Sequence, residues 1–120
     1  MIIHYHKDLE TGSPYPGLTR MICMDQKLGS GAITQGMVTL APGGHIRPHT
    51  HLVEESMTLL EGDVRLLIGG EVIEVRGRAT FLAPANTVHA MRNIGITPVV
   101  LSIAYPSVNV TLNFVDGVEF

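Results

Sequence analysis

The chain is 120 residues long, 45% hydrophobic and 16% charged, with a formal net charge of −3. That length suits one domain, residues 1–120, able to bury roughly two thirds of its unfolded surface. Six arginines and two lysines are scattered singly, which excludes the basic patch required by nucleic acid or an anionic membrane surface, and no apolar run approaches the roughly 20 residues of a membrane span.

A mean hydropathy of +0.26 is apolar for a small domain, and calls for a deep apolar cavity, a buried subunit face, or both. The N-terminal MIIHYHKDLE lacks the long apolar stretch of a signal peptide. The only cysteine, Cys23, has no intramolecular partner, in keeping with a reducing cytoplasm. Lying within RMICM, it reads as a buried core thiol.

Taken in order, IIHYH (2–6) reads as a short strand, TGSPYPG (11–17) as a loop and TRMICM (19–24) as a strand. DQKLGSG (25–31) is a turn or loop, and AITQGMVTL (32–40) a longer strand. APGGHIRP (41–48) is a second bend rich in proline and glycine. The second half holds short β-rich segments: EESMTLL (54–60), VRLLI (64–68), EVIEV (71–75), ATFLA (79–83), VHAMRN (88–93), PVVLSIAY (98–105) and VNVTLNF (108–114). Gly69-Gly70 between two of them is a two-residue hairpin signal. No segment keeps a helical period over three turns.

Short, closely spaced strands predict an all-β sandwich or barrel. Val108, Val110, Leu112 and Phe114 share one face of their segment, opposite Asn109, Thr111 and Asn113. PVVLSIAY is apolar on both faces and is expected to be covered on both, by the interior on one side and a second sheet or a partner subunit on the other.

The stretch GGHIRPHTHLVEESMTLLEG (43–62) carries the chemistry. Residues two and four apart on an extended chain share a face, so His49, His51 and Glu55 can converge on one point. Imidazole with carboxylate is a good donor set for a first-row transition metal. Glu54 is the competing carboxylate, but its parity sets it opposite the histidines. A second cluster, Pro84, Asn86, His89 and Asn93, lies in FLAPANTVHAMRN.

These residues resemble the two motifs of the small single-domain cupins of the cupin superfamily, whose fold is a double-stranded β-helix, a jelly-roll barrel of short antiparallel strands. The first motif is Gly, five residues, His-x-His, three or four residues, Glu, six residues, Gly. Gly43, His49, His51, Glu55 and Gly62 match it in full. The second, here spanning 77–93, ends Pro-x-Gly-x-x-His-x-x-x-Asn; Pro84, His89 and Asn93 match. Asn86 replaces the usual glycine, and it is the residue that next best tolerates positive φ. Gly77 is separated from Pro84 by six residues where the pattern has five, a difference that a bulge or looser turn absorbs.

The resemblance implies that His49, His51, Glu55 and His89 bind one divalent metal ion inside the barrel, and that the protein is a homodimer. Such a set suits Fe, Mn, Ni or Co, and Zn at lower coordination number, while the lack of thiolates argues against a structural zinc site. Four protein ligands on a six-coordinate ion leave two positions for water, substrate or dioxygen.

Met57, Leu59 and Met91 share the ligands' parity and are expected to line an apolar pocket. Arg47 is a further candidate pocket residue, able to clamp a carboxylate, with a surface position as its alternative. Tyr105 and Gln35 are possible polar lining. His45 reads as a loop residue, His4 and His6 as strand residues outside the site, and Arg92 as outward-facing; Ser56 and Thr58 face away. No residue stands out as a general base.

The expected function is a metal-dependent enzyme acting on a small oxygenated organic molecule, with a lean towards an oxygen-dependent, dioxygenase-type reaction. The alternatives are a non-redox isomerase, lyase or decarboxylase acting on a sugar or keto acid, and a non-catalytic small-molecule-binding cupin.

Overall fold

The structure, a computed structural model, describes residues 1–120. Its regular elements are eleven strands and one 3-10 turn, His6–Asp8. The strands are β1 (Thr11–Gly12), β2 (Leu18–Met24), β3 (Thr34–Leu40), β4 (His45–Thr50), β5 (Glu55–Glu61), β6 (Asp63–Ile68), β7 (Glu71–Arg76), β8 (Ala79–Ala83), β9 (His89–Asn93), β10 (Val99–Tyr105) and β11 (Asn113–Phe114). They form two antiparallel sheets, ordered β1-β2-β3-β10-β5-β8 and β11-β4-β9-β6-β7. No helix is long and apolar enough to cross a membrane.

Period-2 patterning sets which side chains go inside. On β5, Glu55, Met57 and Leu59 are buried while Ser56, Thr58 and Leu60 are half-buried on the other face. On β10 the inward set is Val99, Leu101, Ile103 and Tyr105. One end of the sandwich is filled solid. There Leu40 pairs with Val99 and Leu59 with Leu101, and these four with Val64 are fully buried. Each such side chain contributes roughly 1.5–3 kcal/mol by leaving water. At the other end of the same strands stand Glu55, Met57, Ile103 and Tyr105, which line a cavity.

Turn chemistry fixes the register. Ile68 pairs directly with Glu71, so Gly69-Gly70 is the whole hairpin loop. Gly69 takes φ +62, a primed-turn conformation that an L side chain resists. Gly62 has φ +93, and a Cβ there would meet Val99 Cγ2 at 2.7 Å, so β5 turns into β6 only through glycine. Asn93 is buried with every polar atom used: its amide donates to the Leu40 and Thr97 carbonyls, and its oxygen accepts from Gly95 N–H.

Three expectations need correction. IIHYH is not a strand: residues 1–5 are irregular, with no neighbouring chain to pair with, and His6 opens the 3-10 turn. The bend after β3 is shorter than predicted. Gly44 N–H closes it onto the Ala41 carbonyl at 2.7 Å, so the chain is already extended from His45. In VNVTLNF only Asn113–Phe114 pairs, against His49–Thr50. Residues before Asn113 would lie opposite the turn that follows Thr50, where no strand exists to receive them. The outer face of β10 (Val100, Ser102, Ala104) is half-buried and has no second sheet of this chain over it.

Candidate metal centre

The β4–β9 ladder brings the two histidine segments together. His49 is the direct cross-strand partner of His89, with ring centroids 4.1 Å apart. His51 follows the end of β4 and Glu55 opens β5. The turn before β9 is tied to this loop by the Asn86 N–H, which donates to the His51 carbonyl at 2.8 Å. Asn86 holds φ +59, the one non-glycine residue with positive φ, so the asparagine forms the turn.

All four side chains are buried, at 3–4% exposure, and one ligand atom from each lies within 4.8 Å of the others. His49 Nε2 lies 3.0 Å from His51 Nε2, and Glu55 Oε1 lies 2.9 Å from His89 Nε2 and 3.4 Å from His51 Nε2. Each ring turns its other nitrogen to a backbone carbonyl: His49 to Arg47 at 2.7 Å, His51 to Thr111 at 2.6 Å, and His89 to Thr87 at 3.0 Å. A carbonyl only accepts, so Nδ1 carries the proton in each ring. In the neutral rings all three Nε2 lone pairs then point inward.

Electrostatics favour neutral imidazole at His49 and ionised carboxylate at Glu55. Burial, reinforced by His89, lowers His49 to about 4. Burial opposes ionisation of Glu55, but its contacts with His51 and His89 prevail and hold it at about 2. Burial also works against a charged His51, yet Glu55 and the Thr111 carbonyl outweigh it and its pKa is raised. The Tyr105 hydroxyl, 3.5 Å from His51 Nε2, is pushed far above its usual range by burial and then by Glu55, and stays protonated.

This donor set fits a divalent ion. Two atoms each about 2.1 Å from one ion and at right angles to one another are separated by about 3 Å, close to the spacings seen. Two neutral imidazoles meeting Nε2 to Nε2 repel, and a shared cation relieves that repulsion.

The cluster forms part of the wall of a cavity of about 320 Å³. His49, Glu55 and His89 reach it, and most of the remaining lining is apolar, including Met57, Met91, Leu66 and Ile103. A second space of about 230 Å³ reaches His51 and shares Arg20, Tyr105, Val110 and Leu112 with the first.

Met57 and Met91 line the cavity as expected from parity, and so does Tyr105, a possible polar lining residue, but three other candidates do not. Leu59 is fully buried at the packed end of the core. Gln35 is on the outer face, bonded to Ser102. Arg47 is exposed, because a bulge shifts the β4 register between Ile46 and His49. Pro48, inside that bulge, has no N–H to give the ladder. The extra residue turns Ile46 into the cavity and Arg47 out, where its guanidinium lies 4.3 Å from the Phe114 ring centroid. Glu54 is exposed, His4 bonds the Leu28 carbonyl, and His45 packs beside Tyr15. Cys23 is buried, and burial raises its thiol pKa.

Sequence reasoning passed over Arg20, Tyr15 and Leu18, all in the cavity wall. For Arg20 the signal was present: it alternates with Leu18 and Ile22 on β2.

A family profile described as "Cupin domain" matches residues 36–105, and no curated protein matches by sequence. Among solved structures, the polyketide cyclase RemF from Streptomyces resistomycificus is similar at TM-score 0.81 and 20% identity, over 99% of this chain and 88% of that one. An oxalate oxidase is similar at TM-score 0.75 and 25% identity, over 88% of this chain, which spans 60% of its length. An RmlC-like cupin from Shewanella frigidimarina matches at TM-score 0.75 and 15% identity, over 88% of this chain and 90% of that one. The matched profile contains both histidine-bearing segments on a two-sheet antiparallel scaffold, and the chain belongs to the cupin family.

Proposed function

We propose that this protein is a metal-dependent enzyme acting on a small oxygenated organic molecule, with His49, His51, Glu55 and His89 holding one divalent ion and oxidation by dioxygen as the reaction to test first. The observation that carries the reading is the convergence of three Nε2 lone pairs and one carboxylate on the wall of an apolar cavity. When bound, an ion such as Fe, Mn, Ni, Co or Zn supplies Lewis acidity, and iron or manganese adds redox access to dioxygen.

The chain's own residues do the rest. The three Nδ1–H···O=C bonds fix each ring in orientation and tautomer. Glu55 stays ionised across the physiological range. Met57, Leu66 and Met91 pack against the carbon skeleton and exclude water. The resemblance to an oxalate oxidase, at 25% identity, supports an oxidative reading.

A second, non-redox reading, as an isomerase, lyase or decarboxylase acting on a sugar or keto acid, is favoured by Tyr105. Its hydroxyl remains protonated in the cavity wall and can donate a hydrogen bond to a substrate oxygen. The proposal takes the partner to be a small molecule and the protein to be a cytoplasmic homodimer; its lone cysteine is unpaired.

To test this, protein purified anaerobically is loaded with Fe(II) or Mn(II) and screened with catechols and 1,3-diketones for oxygen uptake. Uptake that depends on the metal supports the oxidative reading. No uptake with either metal, together with turnover of a uronate or keto acid, puts the non-redox reading first.

A further inference from the structure

Arg20 is the one arginine or lysine in the wall of the main cavity, and it also borders the second space that reaches His51. Its place follows from β2, where it alternates with Leu18 and Ile22 on the inward side. One cross-strand neighbour is Val38, also in the cavity wall, and the other is Gly12. Gly12 has no side chain, and a Cβ there would meet nothing within 4 Å, so one flank of the guanidinium stem is bare.

Arg20 is exposed and makes no ion pair, although Asp8, Glu10 and Asp25 line a third space with it. The ion pairs formed are Arg65–Glu74, Arg76–Asp63, Arg76–Glu74 and those of Glu55 with His51 and His89. Asp25 shares the second space with Arg20 but accepts from Leu28 N–H at 3.0 Å and makes no pair with it. At His51 and Tyr105, burial and Glu55 dominate protonation and Arg20 is the weakest contributor. The charge is thus within Coulomb range of the cluster without touching it. A planar fork of donors in the cavity wall, paired with no protein acceptor, matches a planar oxyanion.

We propose that Arg20 binds the carboxylate of the substrate, which is a small carboxylic acid with an apolar body and a hydroxyl or keto oxygen directed to the His/Glu cluster. This rests on the metal-centre reading for the oxygen end alone; the carboxylate end stands on Arg20. The apolar body lies against Met57 and Met91, between the two polar ends.

The test is calorimetric, on the full chain both Zn(II)-loaded and metal-free, with metal content measured for each sample. The probes are 4-methyl-2-oxopentanoate and mandelate, each against its methyl ester. In the wild type the acids should bind at least about tenfold more tightly than the esters, as a charge-assisted hydrogen bond allows. Arg20→Met should abolish that preference and Arg20→Lys should keep part of it. Gly12→Asp, which sets a carboxylate beside an intact Arg20, should weaken the acids and spare the esters. Equal affinity of acid and ester in the wild type overturns the proposal. So does an acid preference that survives Arg20→Met at unchanged metal content. If the wild type takes up no Zn(II), the metal reading fails by itself, and the same acid–ester comparison on metal-free protein still decides Arg20.

Discussion

His49 Nε2 and His51 Nε2 lie 3.0 Å apart, and with both rings neutral neither has a proton to offer the other, because each ring's Nδ1–H is donated to a carbonyl. The separation has the form of a hydrogen bond but lacks the hydrogen. With His89 Nε2 and Glu55 Oε1 completing the group, the arrangement is poised for a cation. His49→Ala, His51→Ala and His89→Ala should each cut bound metal, measured by elemental analysis of the purified protein, by tenfold or more, on the order seen when metal shells are disturbed. Unchanged occupancy in all three would remove the site.

The protonation of the cluster gives stability a defined pH dependence in metal-free protein. His49 titrates at about 4 when folded, against an ordinary 6.5. Between those values the unfolded chain binds the extra proton, so this contribution is complete above pH 6.5 and is lost as pH falls towards 4. Its full size is on the order of 3 kcal/mol. His51 acts in the opposite sense: its raised pKa contributes stability below 6.5 that is lost as pH rises through the folded value. Urea denaturation at pH 7 and pH 5 should therefore show His49→Gln losing less stability on acidification than the wild type, by about 1–2 kcal/mol. An equal loss in both would show that His49 is not held neutral by burial.

The turn at Asn86 links the two histidine segments, since its N–H holds the His51 carbonyl. Its φ of +59 suits asparagine or glycine, whereas a β-branched residue there is strained by about 1–2 kcal/mol. Asn86→Gly should keep both stability and metal content. Asn86→Val should lower the denaturation midpoint and weaken metal uptake together. A valine variant that loses stability but binds metal normally would uncouple the turn from His51.

The legible and illegible parts of this chain divide at one residue. Parity placed His49, His51 and Glu55 on one face and Glu54 on the other, and the structure buries the first three and exposes Glu54. For Arg47 the sequence leaves a pocket and a surface position open, and the bulge decides for the surface. Pro48 interrupts the ladder, the strand gains a residue, and Ile46 takes the inward place. Strand positions were readable wherever turns were marked by glycine or asparagine. Val108–Leu112 has a strand's alternation but no partner, because pairing depends on where β4 ends, a property of a segment some 60 residues away. Leu59 has the parity of a lining residue, but its depth along the barrel decides whether it meets cavity or core, and depth is set by cross-strand register.

Subunit association can be argued from one edge strand of each sheet, β7 and β8. The outer edge of the five-stranded sheet is β7, with Glu71, Glu74 and Arg76 along it; charges of this kind guard an edge against further pairing. The outer edge of the six-stranded sheet is β8, ATFLA, which carries no charge and leaves Leu82 48% exposed. Beside it, the outer face of β10 and β5 presents half-buried Val100 and Leu60. An unguarded edge next to an apolar face is where a second copy gains most by docking, and it is consistent with the apolar excess of the composition. Size-exclusion chromatography with light scattering should give a dimer for the wild type and a monomer for Leu82→Glu, whose side chain is exposed enough for the fold to accept the charge. A wild-type monomer at every concentration tried would refute the dimer. A dimer that survives Leu82→Glu would move the contact away from β8, towards the exposed Ile2, Ile3 and Tyr5.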